Sequence, residues 1–287
     1  MIVPFLRAQN QLKTDLRARS RDMTGDRYED SHIYRAISDT IAEWGSRVTV
    51  PYLYTLSDGF TSNDFDYTLP DWVRPPIEVE WQETLPGLLP IQSGVDNLAT
   101  QWVSAPSYSL EPDGLGGSVL RLELSPYTTP SRVLFHAPNG QLPSAPPVLG
   151  SSPDDDDTTL SVSGLPEIAD VGYIKIDDEW MQYAGVSRST DTVLQNLVRG
   201  LRGTSAASHT AGVTVYWGVA LPEQQLLVPL YDGVQAKLHE LYLTDSSIQD
   251  KTQHFDFARY YRQVAMEGLE RRTRRGGKMV LHGAVRE

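Results

Sequence analysis

The side chains in this sequence that could do chemistry are six histidines and many neighbouring carboxylates. The histidines stand at positions 32, 136, 209, 239, 254 and 282, and none forms a pair at the spacing of metal ligands. His239-Glu240 begins like the helix of a zinc protease, but Leu243 stands where the second histidine is required. The sequence also lacks a nucleophile elbow, a P-loop and a dinucleotide-binding fingerprint. We therefore predict no catalytic residue, no metal ligand and no cofactor, and a protein that is not an enzyme.

Two acidic runs and one glycine-rich run have simpler explanations than ligand binding. The four aspartates from Asp154 to Asp157 lack the alternating ligand positions and the glycine bend of a calcium loop, so a solvated linker is favoured over a metal site. Asp177-Asp178-Glu179 falls at the turn of a predicted hairpin, where acids are commonly solvated. The glycine-rich residues 113–118 are not followed by Lys-Ser or Lys-Thr, so a hairpin turn is favoured over a phosphate loop.

The net charge of the chain argues against nucleic acid as a specific ligand. Its 25 Lys and Arg stand against 37 Asp and Glu, and the formal net charge of −12 repels the phosphates of duplex DNA. Basic residues concentrate at the end of the chain, where nine of them follow position 250 against four acids. There is no cysteine and no apolar run of eighteen residues, which predicts a protein made in the cytoplasm, without disulfides or a membrane span.

Helical periodicity marks both ends of the chain. Apolar residues between 33 and 44 recur at spacings of four, four and three, which predicts a helix with Ser31 as its N-cap and Gly45 as its stop. A weaker repeat predicts a shorter helix before it. Toward the other end, a broad apolar face over 226–242 predicts one helix, and a last helix is predicted from about His254.

Between the helical ends, hydrophobicity alternates with a period of two and prolines divide the chain into short strands. Residues 143–157 have the composition of a linker, and a small all-β module follows. Helices at both ends must share a core with the intervening sheet, which predicts an α+β fold with an inserted, small, barrel-like all-β domain. We predict one domain from 1–150 together with 218–270, an inserted module over 151–217, and a basic tail over 271–287.

The module resembles a β module that recurs in tail, baseplate and neck proteins of bacteriophages. The resemblance covers about sixty residues and depends on an Asp-Asp-Glu hairpin, an Arg-Gly-x-x-Gly-Thr turn and a histidine before a glycine, all in order. Its motif residues are Asp177, Asp178, Arg199, Gly200, Gly203, Thr204 and His209. The glycines permit a tight turn, and Arg199 and His209 can bond nearby backbone carbonyls. A scaffold role is therefore favoured over a ligand site.

The rest of the chain is similar to the adaptor family of head-to-tail connectors, the structural proteins of the phage neck. The resemblance lies in the order of short motifs, which are Asp30-Ser31 leading a helix to Trp44, Tyr67-Thr68-Leu69-Pro70 before Ile77-Glu78-Val79, Trp102, Leu120 and Leu122, Val133 to Pro138, Leu221-Pro222-Glu223, and Tyr260-Tyr261. The region formed by the terminal helices and the first strands is accordingly expected to be an adaptor domain.

The resemblance implies a virion protein that works as one copy in a homo-oligomeric ring, typically of twelve. Such a ring lies below the portal protein and above a tail, tail-nozzle or terminator protein, and DNA passes through its lumen without sequence-specific binding. A C-terminal segment of the family docks on the portal. The candidate docking residues here are Arg271, Arg272, Arg274, Arg275, Lys278 and Arg286. A frayed, solvated helix end is the alternative interpretation of this basic segment.

Two other functions stay open at this point. The β module is compatible with a tail or baseplate protein that contacts a fibre or a host glycan. A virion-associated hydrolase is the third hypothesis, and the missing nucleophile and metal spacings count against it. Tyr127, Trp180 and Trp217 are aromatic candidates for interface anchors.

Overall fold

A computed structural model describes residues 4–20, 28–56, 66–73, 77–84, 100–104, 108–112, 118–122, 131–164, 168–189, 191–244 and 251–275. These residues contain the helices α1 (Gln9–Ser20), α2 (Asp30–Trp44), α3 (Leu227–Thr244) and α4 (Lys251–Arg275). The strands are β1 (Phe5–Ala8), β2 (Thr49–Leu56), β3 (Asp66–Leu69), β4 (Ile77–Thr84), β5 (Thr100–Ser104), β6 (Tyr108–Pro112), β7 (Ser118–Leu122), β8 (Ser131–Pro138), β9 (Leu160–Val162), β10 (Val171–Ile176), β11 (Glu179–Ala184), β12 (Val186–Arg188), β13 (Thr192–Leu194), β14 (Val198–Leu201) and β15 (Val215–Leu221). The predicted mixed α+β class is confirmed.

The chain divides into two compact units, 1–50 with 138–287 and 51–137. These are called the first and the second unit below. The predicted division was different, since it grouped 51–137 with the terminal helices and set 151–217 apart. The difference arises because β15 continues past Trp217 to Leu221, and its last four residues pair with β1 at the start of the chain.

The main sheet of the first unit has the strand order β1-β15-β10-β11-β14. β1 and β15 are antiparallel, from Phe5 opposite Leu221 to Ala8 opposite Gly218. β10 and β11 form a hairpin, and β12, β13 and β9 form a second, three-stranded sheet. Both sheets are open over the described residues. The strands β10, β11 and β14 of the predicted module therefore share a sheet with the N-terminal strand.

Two glycines of this sheet leave room for large aromatic rings. A Cβ at Gly172 would stand 2.6 Å from the Tyr183 hydroxyl, and a Cβ at Gly218 would stand 2.6 Å from the Trp180 ring. The Tyr183 hydroxyl also accepts a hydrogen bond from the indole N–H of Trp217 at 3.1 Å. Only residues without a side chain fit beneath these rings, so the strand positions of both glycines are determined by packing.

The helices and the sheets of the first unit share one hydrophobic core. Its buried members come from α1 and α2, from the strands between 160 and 221, and from α3 and α4, and include Leu12, Ile37, Ile41, Leu160, Ile174, Met181, Tyr183, Val215, Trp217, Leu230, Val234 and Leu269. The apolar residues spaced between 33 and 44 in the sequence lie on this core, as their helical periodicity predicts.

The boundaries of α2 differ in part from those predicted. The helix begins at Asp30 with Glu29 as its N-cap, so the prediction of Ser31 as the cap is wrong. The Glu29 carbonyl accepts the first backbone hydrogen bonds, from His32 and Ile33 at 3.1 and 3.2 Å, and Ser31 is already inside the first turn. The predicted stop at Gly45 is confirmed, with a φ of 48° that glycine adopts readily.

The middle of the predicted linker, 143–157, is hydrogen-bonded to two other segments of the first unit. The Leu149 N–H donates to the Val213 carbonyl at 2.9 Å, and the Gly150 N–H donates to the Ser161 carbonyl at 2.9 Å. Leu149 is also buried in the core. The four aspartates that follow are exposed, as the charge run predicts.

The second unit contains two antiparallel sheets, in the orders β2-β8-β4-β5 and β3-β7-β6. Its buried residues lie outside the core of the first unit and include Tyr52, Leu53, Leu69, Val79, Leu120, Val133 and Phe135. β6 and β7 pair from Tyr108 opposite Leu122 to Pro112 opposite Ser118, which is the arrangement of a hairpin. The glycine-rich connection at 113–117 lies outside the described residues.

Candidate functional site

A buried ion pair lies at the hairpin end of the main sheet. Glu179 is the first residue of β11, and Arg199 stands on the neighbouring strand β14. The Arg199 guanidinium donates from Nε to Oε1 of Glu179 at 3.1 Å and from Nη2 to Oε2 at 2.8 Å. Only 2% of the Glu179 side chain and 7% of the Arg199 side chain are exposed. This two-point geometry is the strongest that a guanidinium makes with a carboxylate.

His209 extends this ion pair to the hairpin turn. Its Nε2 lies 2.9 Å from Oε2 of Glu179, and its Nδ1 lies 3.0 Å from Oδ2 of Asp177. Asp177 occupies the turn with a φ of 49°, and its side chain is largely exposed. Each ring nitrogen of His209 thus faces one carboxylate oxygen. We call Asp177, Glu179, Arg199 and His209 the Glu179 cluster.

Backbone groups complete the coordination of the Glu179 carboxylate. The N–H of Gly200 donates to Oε1 at 3.1 Å, and the N–H of Ala207 donates to Oε2 at 3.2 Å. Gly200 has a φ of 65°, and a Cβ there would lie 3.0 Å from the Thr204 carbonyl oxygen, so this position needs glycine. Burial by itself would raise the pKa of Glu179, but the bonds from Arg199, His209 and these two N–H groups outweigh it and lower the pKa.

The Glu179 cluster ties three separate chain segments together. Arg199 donates to the backbone carbonyls of Asp154 and Ala207, and the backbone N–H of His209 donates to the Pro153 carbonyl at 3.1 Å. These bonds join the aspartate run, the β10-β11 turn and the loop after β14. Both carboxylate oxygens of Glu179 accept hydrogen bonds from donors of the chain itself. The Glu179 cluster therefore has a structural role, which is to hold these three segments together.

The other motif residues of the module lie around this cluster. Thr204 donates from its hydroxyl to the Leu201 carbonyl at 2.7 Å and accepts from the Trp180 N–H at 3.1 Å. Gly203 has a φ of 75° in the same turn. Asp178 does not join the cluster, since its exposed carboxylate lies 3.6 Å from the Lys175 ammonium.

Glu179 is the functional side chain that sequence reasoning missed. The sequence predicted all three acids of the Asp-Asp-Glu turn to be solvated, and for Glu179 this is wrong. No local signal marked it, because the burial of every residue of β11 follows from the packing of the folded chain. Arg199 and His209 were expected to bond backbone carbonyls, and only Arg199 does so through its side chain in addition to its ion pair.

α4 carries the basic candidates for partner binding. Arg271 and Arg272 are exposed on the helix. Arg271 donates to the Glu267 carboxylate at 3.1 Å, and Arg272 donates to the Gln225 side-chain oxygen at 2.5 Å. The candidates Arg274 and Arg275 belong to the last turn of the same helix. The helix thus extends into the segment predicted as a tail. Lys278 and Arg286 lie outside the described residues.

α4 also exposes aromatic side chains, which lie on more than one side of the helix. The exposed fractions of Phe255, Phe257 and Tyr260 are 56%, 40% and 61%. Of the aromatic anchors predicted from the sequence, Trp180 and Trp217 are buried, and Tyr127 lies outside the described residues. The exposed aromatic surface is therefore on the last helix and not on the sheet, which the helical repeat of the sequence did not reveal.

The inner face of α4 meets α3 through a pair of histidines. Nδ1 of His239 and Nδ1 of His254 are 3.0 Å apart, which is hydrogen-bond distance when one ring donates and the other accepts. Tyr261 stacks on His239 with the ring centroids 5.8 Å apart. Within the described ranges, no group of three or more His, Asp or Glu side chains is placed to hold a metal ion.

The first unit consists of antiparallel sheets packed against helices. A buried ion pair holds its β10-β11 turn in place. Its last helix exposes aromatic and basic side chains. No helix in the part of the chain that the structure describes is both long and apolar enough to cross a membrane. No family model matches the chain, and no curated protein or solved structure matches it.

Proposed function

We propose that this chain is a structural subunit of the neck of a tailed-phage virion, a head-to-tail connector that works as one copy in a ring below the portal. The helices of the first unit, with β1 and β15, would correspond to the adaptor domain, and the strands between 160 and 217 to its added β module. The partners are further copies of the chain, the portal protein above, and a tail or tail-nozzle protein below.

The observation that carries the proposal is the set of aromatic and basic side chains that α4 exposes. A 25-residue helix near the end of the chain exposes three aromatic side chains together with arginines. Aromatic and arginine side chains are the ones enriched at sites of protein association. The adaptor-like motif Tyr260-Tyr261 lies on this helix, so the sequence resemblance and the exposed surface coincide.

The overall charge fits a passage for DNA. The formal net charge of −12 leaves few cations to displace the counterions of a duplex, so DNA can slide past the chain without being retained. The arginines near the end of α4 are in contrast suited to an acidic surface on a partner.

Co-assembly with the portal tests this function. Portal particles are mixed with the full chain, and particle imaging is used to look for a ring below the portal. We expect a ring with wild-type chain and at least about tenfold weaker binding when Arg271, Arg272, Arg274 and Arg275 are all changed to Glu, because charge reversal turns attraction into repulsion. Arg35→Glu on α2, at an arginine that is 69% exposed, is the matched control.

A chain that stays monomeric and never joins the portal would contradict the proposal. Binding to purified tail or baseplate proteins in place of the portal would support the second candidate function, that of a tail or baseplate protein that contacts a fibre or a host glycan. The buried ion pair at the β10-β11 turn favours that candidate, because a turn held in one conformation is suited to contact with a fibre or a glycan.

A further inference from the structure

His239 and His254 bring two imidazole nitrogens together where α3 and α4 meet. Their Nδ1 atoms are 3.0 Å apart. His239 lies near the end of α3 and His254 near the beginning of α4, so the pair joins the two helices close to their connection. The two residues are 15 positions apart in the chain, and no local spacing in the sequence marks them as partners.

Aromatic neighbours hold both imidazole rings in this arrangement. Tyr261 stacks on His239 with an angle of 6° between the ring planes, and the Phe257 centroid lies 5.3 Å from the His239 centroid. Tyr242 packs against His254 with the ring centroids 4.9 Å apart. His239 is buried and His254 is half-buried. The two nitrogens are therefore held close together at a place that is partly open to solvent.

The separation of the two nitrogens fits adjacent positions around a divalent transition metal. Imidazole nitrogens bind such an ion at about 2.0–2.1 Å. Two nitrogens 3.0 Å apart then subtend an angle of about 90–97° at the ion, whereas a tetrahedral site would hold them about 3.3–3.4 Å apart. An angle near 90° belongs to square-planar and tetragonal sites, and such sites with nitrogen and oxygen ligands are typical of Cu²⁺ and Ni²⁺.

We propose that His239 and His254 form a two-histidine binding site for a divalent copper or nickel ion. This inference goes beyond the proposed function and does not rest on it. Both Nδ1 atoms bind the ion, and water fills its other positions, because the described residues form no group of three or more His, Asp or Glu side chains around a metal position. The bound ion holds the beginning of α4 against the end of α3.

Binding exchanges ligands without any change in oxidation state. Without the ion, one Nδ1 donates its hydrogen to the other Nδ1. On binding, that proton moves from Nδ1 to Nε2 of the same ring, which frees both Nδ1 lone pairs for the ion. Two metal–nitrogen bonds form, and two water molecules leave the hydrated ion.

Titration of the full, untagged chain with nickel chloride tests this site. Isothermal titration calorimetry should show one ion bound per chain. The midpoint of thermal unfolding should rise by about 5–10 °C when free Ni²⁺ is at about a hundred times its Kd, and EDTA should reverse the rise. Zinc chloride should bind more weakly than nickel chloride, because the 3.0 Å separation is too short for a tetrahedral ion.

Ring-preserving variants show whether the two histidines are the ligands. His239→Phe and His254→Phe each keep an aromatic ring in place and remove both ring nitrogens, and each should abolish the binding heat and the rise in unfolding temperature. His32→Phe, at an exposed position of α2, is the matched control and should bind Ni²⁺ like the wild type. Where a Phe variant fails to fold, His254→Asn replaces it, since the amide can still bond to His239 but lacks the imidazole.

Two results would count against this inference. A wild-type chain that binds no Ni²⁺, or one-to-one binding that survives both Phe variants, would overturn the site and leave the pair as a hydrogen bond between two helices. Tighter binding of Zn²⁺ than of Ni²⁺ would overturn the assignment of the ion.

Discussion

Glu179 joins the β10-β11 turn to the strand β14 and to the loop that follows β14. Its carboxylate accepts from Arg199, from two backbone N–H groups and from His209, so its charge is compensated although it is buried. A buried ion pair adds little net stability compared with apolar packing, but breaking one partner leaves an uncompensated charge inside the protein. The residue therefore serves to determine which conformation the turn adopts.

We predict that Glu179→Gln lowers the free energy of unfolding by about 3 kcal/mol, because Arg199 is left buried without its counter-charge. Chemical denaturation at neutral pH measures this loss. Asp178→Asn removes a carboxylate from the adjacent, exposed position and should change the free energy of unfolding by no more than about 0.5 kcal/mol. Equal effects of the two substitutions would show that the cluster does not have this role.

The lowered pKa of Glu179 predicts a dependence on pH. A carboxyl whose pKa is lower in the folded state stabilises the fold fully above its unfolded pKa of about 4.3, and this stabilisation is lost as the pH falls through the folded pKa. The difference in unfolding free energy between the wild type and Glu179→Gln should therefore shrink as the pH is lowered from 7 towards 3. Taking the difference cancels the other carboxylates. A gap that stays constant or widens on acidification would contradict the assignment.

At the scale of elements, the position of α3 against α2 depends on a glycine. A Cβ at Gly233 would stand 2.6 Å from Cγ2 of Thr40, and that methyl cannot turn away easily because the Thr40 hydroxyl donates to the Ala36 carbonyl at 2.7 Å. Glycine costs a helix about 1 kcal/mol relative to alanine. Close packing of the two helices explains why glycine stands here in spite of that cost.

We predict that Gly233→Ala destabilises the protein by about 1 kcal/mol, since overpacking outweighs the gain in helix propensity. Thr40→Ser removes the methyl and keeps the hydroxyl, so the double variant should recover most of the loss. Thermal unfolding of the single and the double variants measures both effects. A stabilising Gly233→Ala substitution would show that the two helices are less closely packed than described.

At the scale of the whole molecule, the strands between 160 and 217 and the helices are one body. Ile174, Met181 and Trp217 lie in the same core as Ile37 and Leu230. The second unit has its own buried residues, outside that core. The region that resembles a separate phage module is therefore the one that the helices depend on for burial.

We predict that deleting 153–217 and closing the gap prevents folding, because it removes the strands on which the helices pack. Replacing 51–137 with a short Gly/Ser linker should instead leave the first unit folded, since its core stays complete. Circular dichroism and the cooperativity of thermal unfolding distinguish the two results. A cooperatively folded chain without 153–217 would show that the helices form a core by themselves.

The sequence by itself determined the local elements. The spacing of apolar residues between 33 and 44 predicted α2 and its core face, and the alternation after 158 predicted β9, β10 and β11, because side-chain periodicity follows directly from helix and strand geometry. The exposure of the aspartates at 154–157 followed from their mutual repulsion. These features depend on neighbours within a few residues, which the sequence displays.

Only the tertiary structure decided how those elements associate. Arg199 and His209 reach Glu179 across twenty and thirty residues of chain, and β1 pairs with β15 across more than two hundred. Such contacts are selected by the packing of the complete core, and a single sequence carries no local sign of them. For the same reason the burial of Glu179, the shared core of strands and helices, and the exposed aromatic side chains of α4 emerged only from the folded chain.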